Sequence, residues 1–85
     1  MDIRGQFGRI LRDLRSARGL SQEELAHRAG MSVPYLSDLK RGRSSPSLAM
    51  LVDLARALDV HPSDLLKDLA IDDGAEPSGR KRPRD

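Results

Sequence analysis

Apolar residues return at helical spacing in five stretches of this 85-residue chain. Ile3, Phe7, Ile10, Leu11 and Leu14 share one stripe of a helix expected over about 3–18. Arg4, Arg9, Arg12, Asp13 and Arg15 cover most of its remaining surface, and Gly19 supplies the left-handed residue that ends it. Gly5 and Gly8 weaken its first turns. Ser21 with Glu24 three residues later forms a capping box that opens a second helix, 22–29. Leu25, Ala26 and Ala29 are its inner face, and Gly30 stops it. Ser32 caps a third helix, 33–41, which has Pro34 in its first turn, turns Leu36 and Leu39 inward and ends at Gly42. Ser47 caps a fourth, 48–58. It is apolar on two faces (Leu48, Leu51, Val52, Leu54, Ala55, Leu58) and is therefore expected to be the most buried. Pro62, preceded by His61 at the cap, starts a fifth, 62–69, carrying Leu65, Leu66 and Leu69. No segment alternates with the period of a strand. After Ile71 the pattern stops, and 72–85 reads as a disordered charged tail. The expected fold is all-α: one compact five-helix domain over 1–71.

Composition narrows the class. With 38% apolar and 33% charged residues, the chain suits a small soluble domain. Phe7 and Tyr35 are its only aromatic residues, so the core must be aliphatic. The absence of cysteine excludes disulfides and thiolate metal sites. No apolar run reaches the roughly 18 residues of a membrane span. The opening Met1-Asp2-Ile3-Arg4 lacks the apolar stretch of a secretory signal, so the expected compartment is the cytoplasm. The net charge of +2 conceals a gradient. Residues 1–43 hold nine Lys/Arg against five Asp/Glu, whereas 44–69 hold two against four. A basic half facing away from an acidic one suits a polyanionic partner.

The stretch from Gln22 to Arg41 carries the functional signal. Leu25, Ala29, Met31, Leu36 and Leu39 are apolar where two short crossing helices must be. Ala26 is small where they cross, and Gly30 stands where the turn needs a positive φ. Together these seven positions meet the constraints of a helix-turn-helix. Arg18-Gly19-Leu20-Ser21-Gln22-Glu23-Glu24-Leu25-Ala26, Tyr35-Leu36-Ser37-Asp38-Leu39-Lys40-Arg41-Gly42, Pro46-Ser47-Leu48 and Leu54-Ala55-Arg56-Ala57-Leu58 extend the pattern. On these segments the chain, over roughly 4–69, resembles the lambda-repressor-like, Cro/CI-type (XRE) DNA-binding domains. The resemblance implies a compact five-helix domain that places its third helix in the major groove of double-stranded DNA, usually as a homodimer on a two-fold operator.

The same resemblance puts base contacts on Val33, Pro34, Tyr35 and Asp38. Val33 and Pro34 can offer only apolar contact, to thymine methyls or sugars. Tyr35 either bonds the DNA or lies half-buried against the helix pair. Asp38 either accepts from cytosine N4 or is simply solvated. Direct readout by such residues is sparse, so shape and flanking arginines are expected to contribute. Phosphate contacts are expected from Ser21 and Gln22 at the start of the second helix, and from Lys40, Arg41, Arg43, Ser44 and Ser45 after the third. Arg41 and Arg43 also suit the negative end of that helix. The family commonly has glutamate at the position of Lys40, paired to an arginine at the position of Arg15. Here both are cations, so either Arg15 finds another carboxylate or both face the DNA.

Leu65, Leu66 and Leu69 are candidates for a dimer interface, or else pack inside one monomer. His27 and His61 have no partners at ligand spacing, so no metal, cofactor, small-molecule ligand or catalytic activity is expected. Arg80-Lys81-Arg82-Pro83-Arg84 either adds phosphate contacts or only solubilises the chain. The expected function is a sequence-specific transcriptional regulator, most simply a repressor. The alternative is a protein-interaction module, such as an antitoxin or anti-activator.

Overall fold

Four α-helices and one 3-10 turn make up residues 2–70, the part of the chain that the computed structural model describes. They are α1 (Ile3–Ala17), α2 (Gln22–Ala29), α3 (Val33–Lys40), α4 (Leu48–Leu58) and a 3-10 turn at Pro62–Leu65. Short polar side chains set the starts. Asp2 accepts from the Arg4 N–H, and the hydroxyls of Ser21, Ser32 and Ser47 accept from the N–H of Glu24, Tyr35 and Met50. Each bond satisfies a donor that the helix itself cannot.

The stops repeat one device. After each α-helix, a left-handed residue lets two N–H groups return to the last carbonyls. Leu20 and Gly19 donate to Arg15 and Ser16, Met31 and Gly30 to Ala26 and His27, Arg43 and Gly42 to Asp38 and Leu39, and Val60 and Asp59 to Ala55 and Arg56. Three of the left-handed residues are glycines; the fourth is Asp59, at φ 56°. The residue beyond the stop is apolar and packs inward in three cases: Leu20 is buried, and Met31 and Val60 lie against the core. After α3 it is Arg43, which is exposed.

The core is aliphatic apart from Phe7. Leu11, Leu25, Leu39, Leu54, Leu58 and Leu65 are its largest fully buried side chains. α2 packs on α4, α1 on α3, and α4 on the 3-10 turn. Among the described residues there is no strand. α4 is less uniformly covered than its composition suggests. Leu54, Ala55, Ala57 and Leu58 are buried, but its first turn stands out and Leu48 is 78% exposed. Ile3, at the start of the α1 stripe, is also half-exposed.

The fifth element is a correction. The expected helix over 62–69 is a single 3-10 turn followed by hydrogen-bonded turns, so the described residues form four α-helices, not five. The start is as expected: Pro62 takes the first position, and the His61 ring accepts from the Ser63 N–H. A segment this short gains little from its own hydrogen bonds, so packing decides its shape. Only Leu65 is drawn fully into the core. Leu65 is therefore not available to a dimer interface, whereas Leu66 is 43% exposed and Leu69 is half-buried. Smaller differences fall at helix ends, where Arg18 and Arg41 are cap residues rather than the last turns of α1 and α3. Ile71 and the expected tail over 72–85, with Arg80–Arg84, lie outside the described residues.

Candidate nucleic-acid interface

Glycine places α3. The backbone of α1 at Gly8 passes so close to the end of α3 that a Cβ there would overlap the carbonyl oxygens of Lys40 and Leu39. Gly42, at φ +76°, lies against the backbone of α1 at Gly5. The two glycines let the last turn of α3 and the following loop rest directly on α1. Sequence reasoning weighed Gly8 only as a weak helix former. The available signal was its place beside the apolar stripe, next to Phe7 and three residues before Leu11.

The helix-turn-helix positions fall as expected. Leu25, Ala26, Ala29, Leu36 and Leu39 are buried, Met31 packs against them, and Gly30 takes φ +70°. With Leu36 and Leu39 inside, α3 presents Val33 and Pro34 to solvent, and Tyr35 and Asp38 are half-buried. The Tyr35 ring packs against the core, in line with the half-buried alternative for this residue. Arg41, Arg43 and Ser45 are exposed and Ser44 is half-buried. The ion pairs recorded among the described residues are Arg12–Asp13 and Lys67–Asp64, so the cations closing α3 are free of carboxylates there.

At the start of α2, Ser21 is more occupied than its sequence position suggests. Its N–H donates to the Glu24 carboxylate at 3.0 Å, and its hydroxyl oxygen accepts the Glu24 N–H at 3.0 Å. The Ser21 N–H first, and then the Ser21 hydroxyl, hold the Glu24 carboxyl below the usual carboxylate range, with a smaller contribution from Arg28.

Arg15 has no carboxylate partner among the described residues, and both Arg15 and Lys40 donate to neutral groups. Arg15 donates to the carbonyl oxygen of Leu20 at 2.7 Å, and Lys40 Nζ donates to Gln22 Oε1 at 3.2 Å. Both cations thus brace the entry of α2. With Arg12 and Gln22 they rim a shallow crevice between α1, α2 and α3, floored by Leu11, Leu25 and Leu36. Away from this face, the Asp64 carboxyl is held low by its hydrogen bond from Lys67 and by the His61 N–H, and the same partner raises Lys67. Among the described residues no group of His, Asp or Glu could hold a metal ion.

The sequence profile of the helix-turn-helix family matches residues 11–65, well over half of the chain. The chain belongs to the helix-turn-helix family. It is 51% identical over 57 residues to the HTH-type transcriptional regulator DdrOP3 of Deinococcus deserti. That match takes in 67% of this chain but 44% of DdrOP3, so the chain spans less than half of that relative's length. It is 39% identical over 66 residues to the control protein C.BamHI of Bacillus amyloliquefaciens, covering 76% of this chain and 82% of that one. Among solved structures it is similar to the restriction-modification controller protein C.AhdI from Aeromonas hydrophila. The identity is 43% and the TM-score 0.73, over 74% of this chain and 96% of that one. Helix-turn-helix proteins of this kind are DNA-binding transcriptional regulators and not enzymes, and this chain is one by family.

Proposed function

We propose that this protein represses transcription by occupying a two-fold operator, with α3 of each copy in the major groove. The observation that carries this reading is the surface of α3 and the loop behind it, where Val33, Pro34, Arg41 and Arg43 are exposed, Leu36 and Leu39 are turned inward, and no ion pair among the described residues engages the cations. Val33, Pro34, Tyr35 and Asp38 meet base edges or sugars, and the capped, positive end of α3 points the same way. Arg41, Arg43, Ser44 and Ser45 clamp one phosphate backbone. The Gln22 side chain and the Ser21 hydroxyl, next to Lys40, meet the other. Glu23 and Glu24 stand at that second contact, in the first turn of α2, so its attraction to phosphate is weaker than that of the loop.

Two copies join through the turns that follow the 3-10 turn, at the exposed Leu66 and the half-buried Leu69, which sets the recognition helices about 34–36 Å apart. No helix among the described residues is long and apolar enough to cross a membrane. The protein acts where the DNA is, in the cytoplasm. Selection of bound sites from random duplex DNA tests this reading. It should yield two related half-sites in inverted order about one helical turn apart, with binding that fades steeply as salt rises. No enrichment at low salt, with a second chain co-purifying instead, would favour the protein-interaction alternative.

A further inference from the structure

We propose that Lys40 is a positioning residue that sets which end of the Gln22 amide faces the DNA backbone. The inference rests on the DNA-binding reading above. A glutamine side chain offers an oxygen that accepts and an NH2 that donates, and its neighbours decide which one turns outward. A phosphodiester oxygen only accepts, so only the NH2 end serves it. Lys40 only donates, and it holds Gln22 Oε1 at 3.2 Å. The oxygen is thereby engaged against α3, and the NH2, with no partner among the described residues, is left as the donor for phosphate.

Three further observations make the arrangement specific. Arg15 does not compete for the amide, because its guanidinium is committed to the Leu20 carbonyl, two residues before Gln22. Gln22 and Lys40 are each partly buried, which limits the exchange of their bond for water. Backbone contact of Gly8 with the carbonyl of Lys40 fixes where that side chain begins. A carboxylate at position 40 would accept from the NH2 end instead and turn the oxygen outward, toward the phosphate. The charge at position 40 therefore acts on DNA affinity through the orientation of a neutral side chain.

A double-mutant cycle tests this. The full-length protein and its Lys40→Met, Gln22→Leu and doubly substituted variants are titrated with the selected operator duplex over a range of salt, and thermal melting is followed in parallel. Each single change should weaken binding about 5–10-fold, as for one missing hydrogen bond, and the double variant should be no weaker than either single one. The salt slope should fall by well under one for Lys40→Met, because the phosphate is met by a neutral amide rather than by the lysine charge. Lys40→Arg, also donor-only, should bind within about twofold of the parent, and Lys40→Glu should bind worse than Lys40→Met. If Lys40→Met is too unstable to titrate, Lys40→Arg and Lys40→Glu, each made with and without Gln22→Leu, complete the same cycle. Losses that multiply, with a slope that falls by about one whatever stands at position 22, would make Lys40 itself the phosphate ligand and overturn the proposal. A parent protein that binds no duplex at low salt would overturn the DNA reading, and this inference with it.

Discussion

Where α1 crosses the end of α3, backbone lies on backbone; where α4 meets the 3-10 turn, leucine lies on leucine. At the first junction Gly8 leaves no room for a Cβ, and Gly42 rests against Gly5. At the second, Leu54, Leu58 and Leu65 are fully buried. The charge differs in the same sense: residues 1–43 carry the excess of Lys and Arg, and residues 44–69 an excess of Asp. A rigid junction of small residues holds the proposed DNA face without drawing its cations inward. The leucine junction behind it supplies buried area. The first junction should therefore be intolerant of added atoms, and the second of removed ones.

The largest expected effect is at the second junction. Leu65→Ala should cost about 2–5 kcal/mol in chemical denaturation, through reduced burial and the cavity left behind. A cost below about 1 kcal/mol would mean that the 3-10 turn is not part of the core. The first junction gives a sharper test, because the sign is at stake. In an ordinary helix, Gly→Ala stabilises by up to about 1 kcal/mol. Gly5→Ala should do so, since its Cβ would meet only Asp2, no closer than 3.6 Å. Gly8→Ala, three residues along the same helix, should instead destabilise by about 1–3 kcal/mol, as the new methyl drives into the Lys40 carbonyl. Two stabilising results would show that α1 and α3 do not touch as described.

Smaller effects come from the ends of the helices. Asp59 holds a left-handed φ of 56° at the stop of α4, and an acidic residue is unfavourable at the negative end of a helix. Asp59→Gly should raise stability by about 0.5–1 kcal/mol and keep the bond from Arg18 to the residue 59 carbonyl. Acidification tests the carboxylates at the two capping boxes. Glu24 and Asp64 have depressed pKa values, so their stabilising contribution is complete above the ordinary carboxylate range. It is lost as pH falls through that range and below, and a melting temperature that rises on acidification would contradict this. Arg41→Ala, at the exposed end of α3, should leave the melting temperature within about a degree while lowering the salt slope of DNA binding by about one.

Much of this was legible because capping and stopping are local. Ser21, Ser32 and Ser47 mark helix starts, and Gly19, Gly30 and Gly42 mark stops, through bonds that span only a few residues. The stop at Asp59 was not legible, since aspartate takes the left-handed conformation less readily than glycine and its position resembles a simple link. The fifth helix failed for a related reason: the leucine spacing at 65, 66 and 69 is compatible with both an α-helix and successive turns, and tertiary packing chose the turns. Gly8 is not legible from helix propensity, which describes one chain segment, because its role depends on a carbonyl 32 residues away. The bonds of Arg15 and Lys40 were invisible for the same reason. Once no carboxylate was at hand, their partners were a backbone carbonyl and an amide that only the fold brings near.

The central claim is that duplex DNA meets the face formed by α3, the loop behind it and the entry of α2. Amide shift mapping of isotope-labelled protein against the selected duplex tests it most directly. The account predicts that the largest changes fall at residues 32–38 and 41–45, with a second cluster at 21–22, and that α4 stays quiet beyond its first turn. Changes centred on the second half of α4 and the 3-10 turn, with 32–45 unmoved, would contradict it.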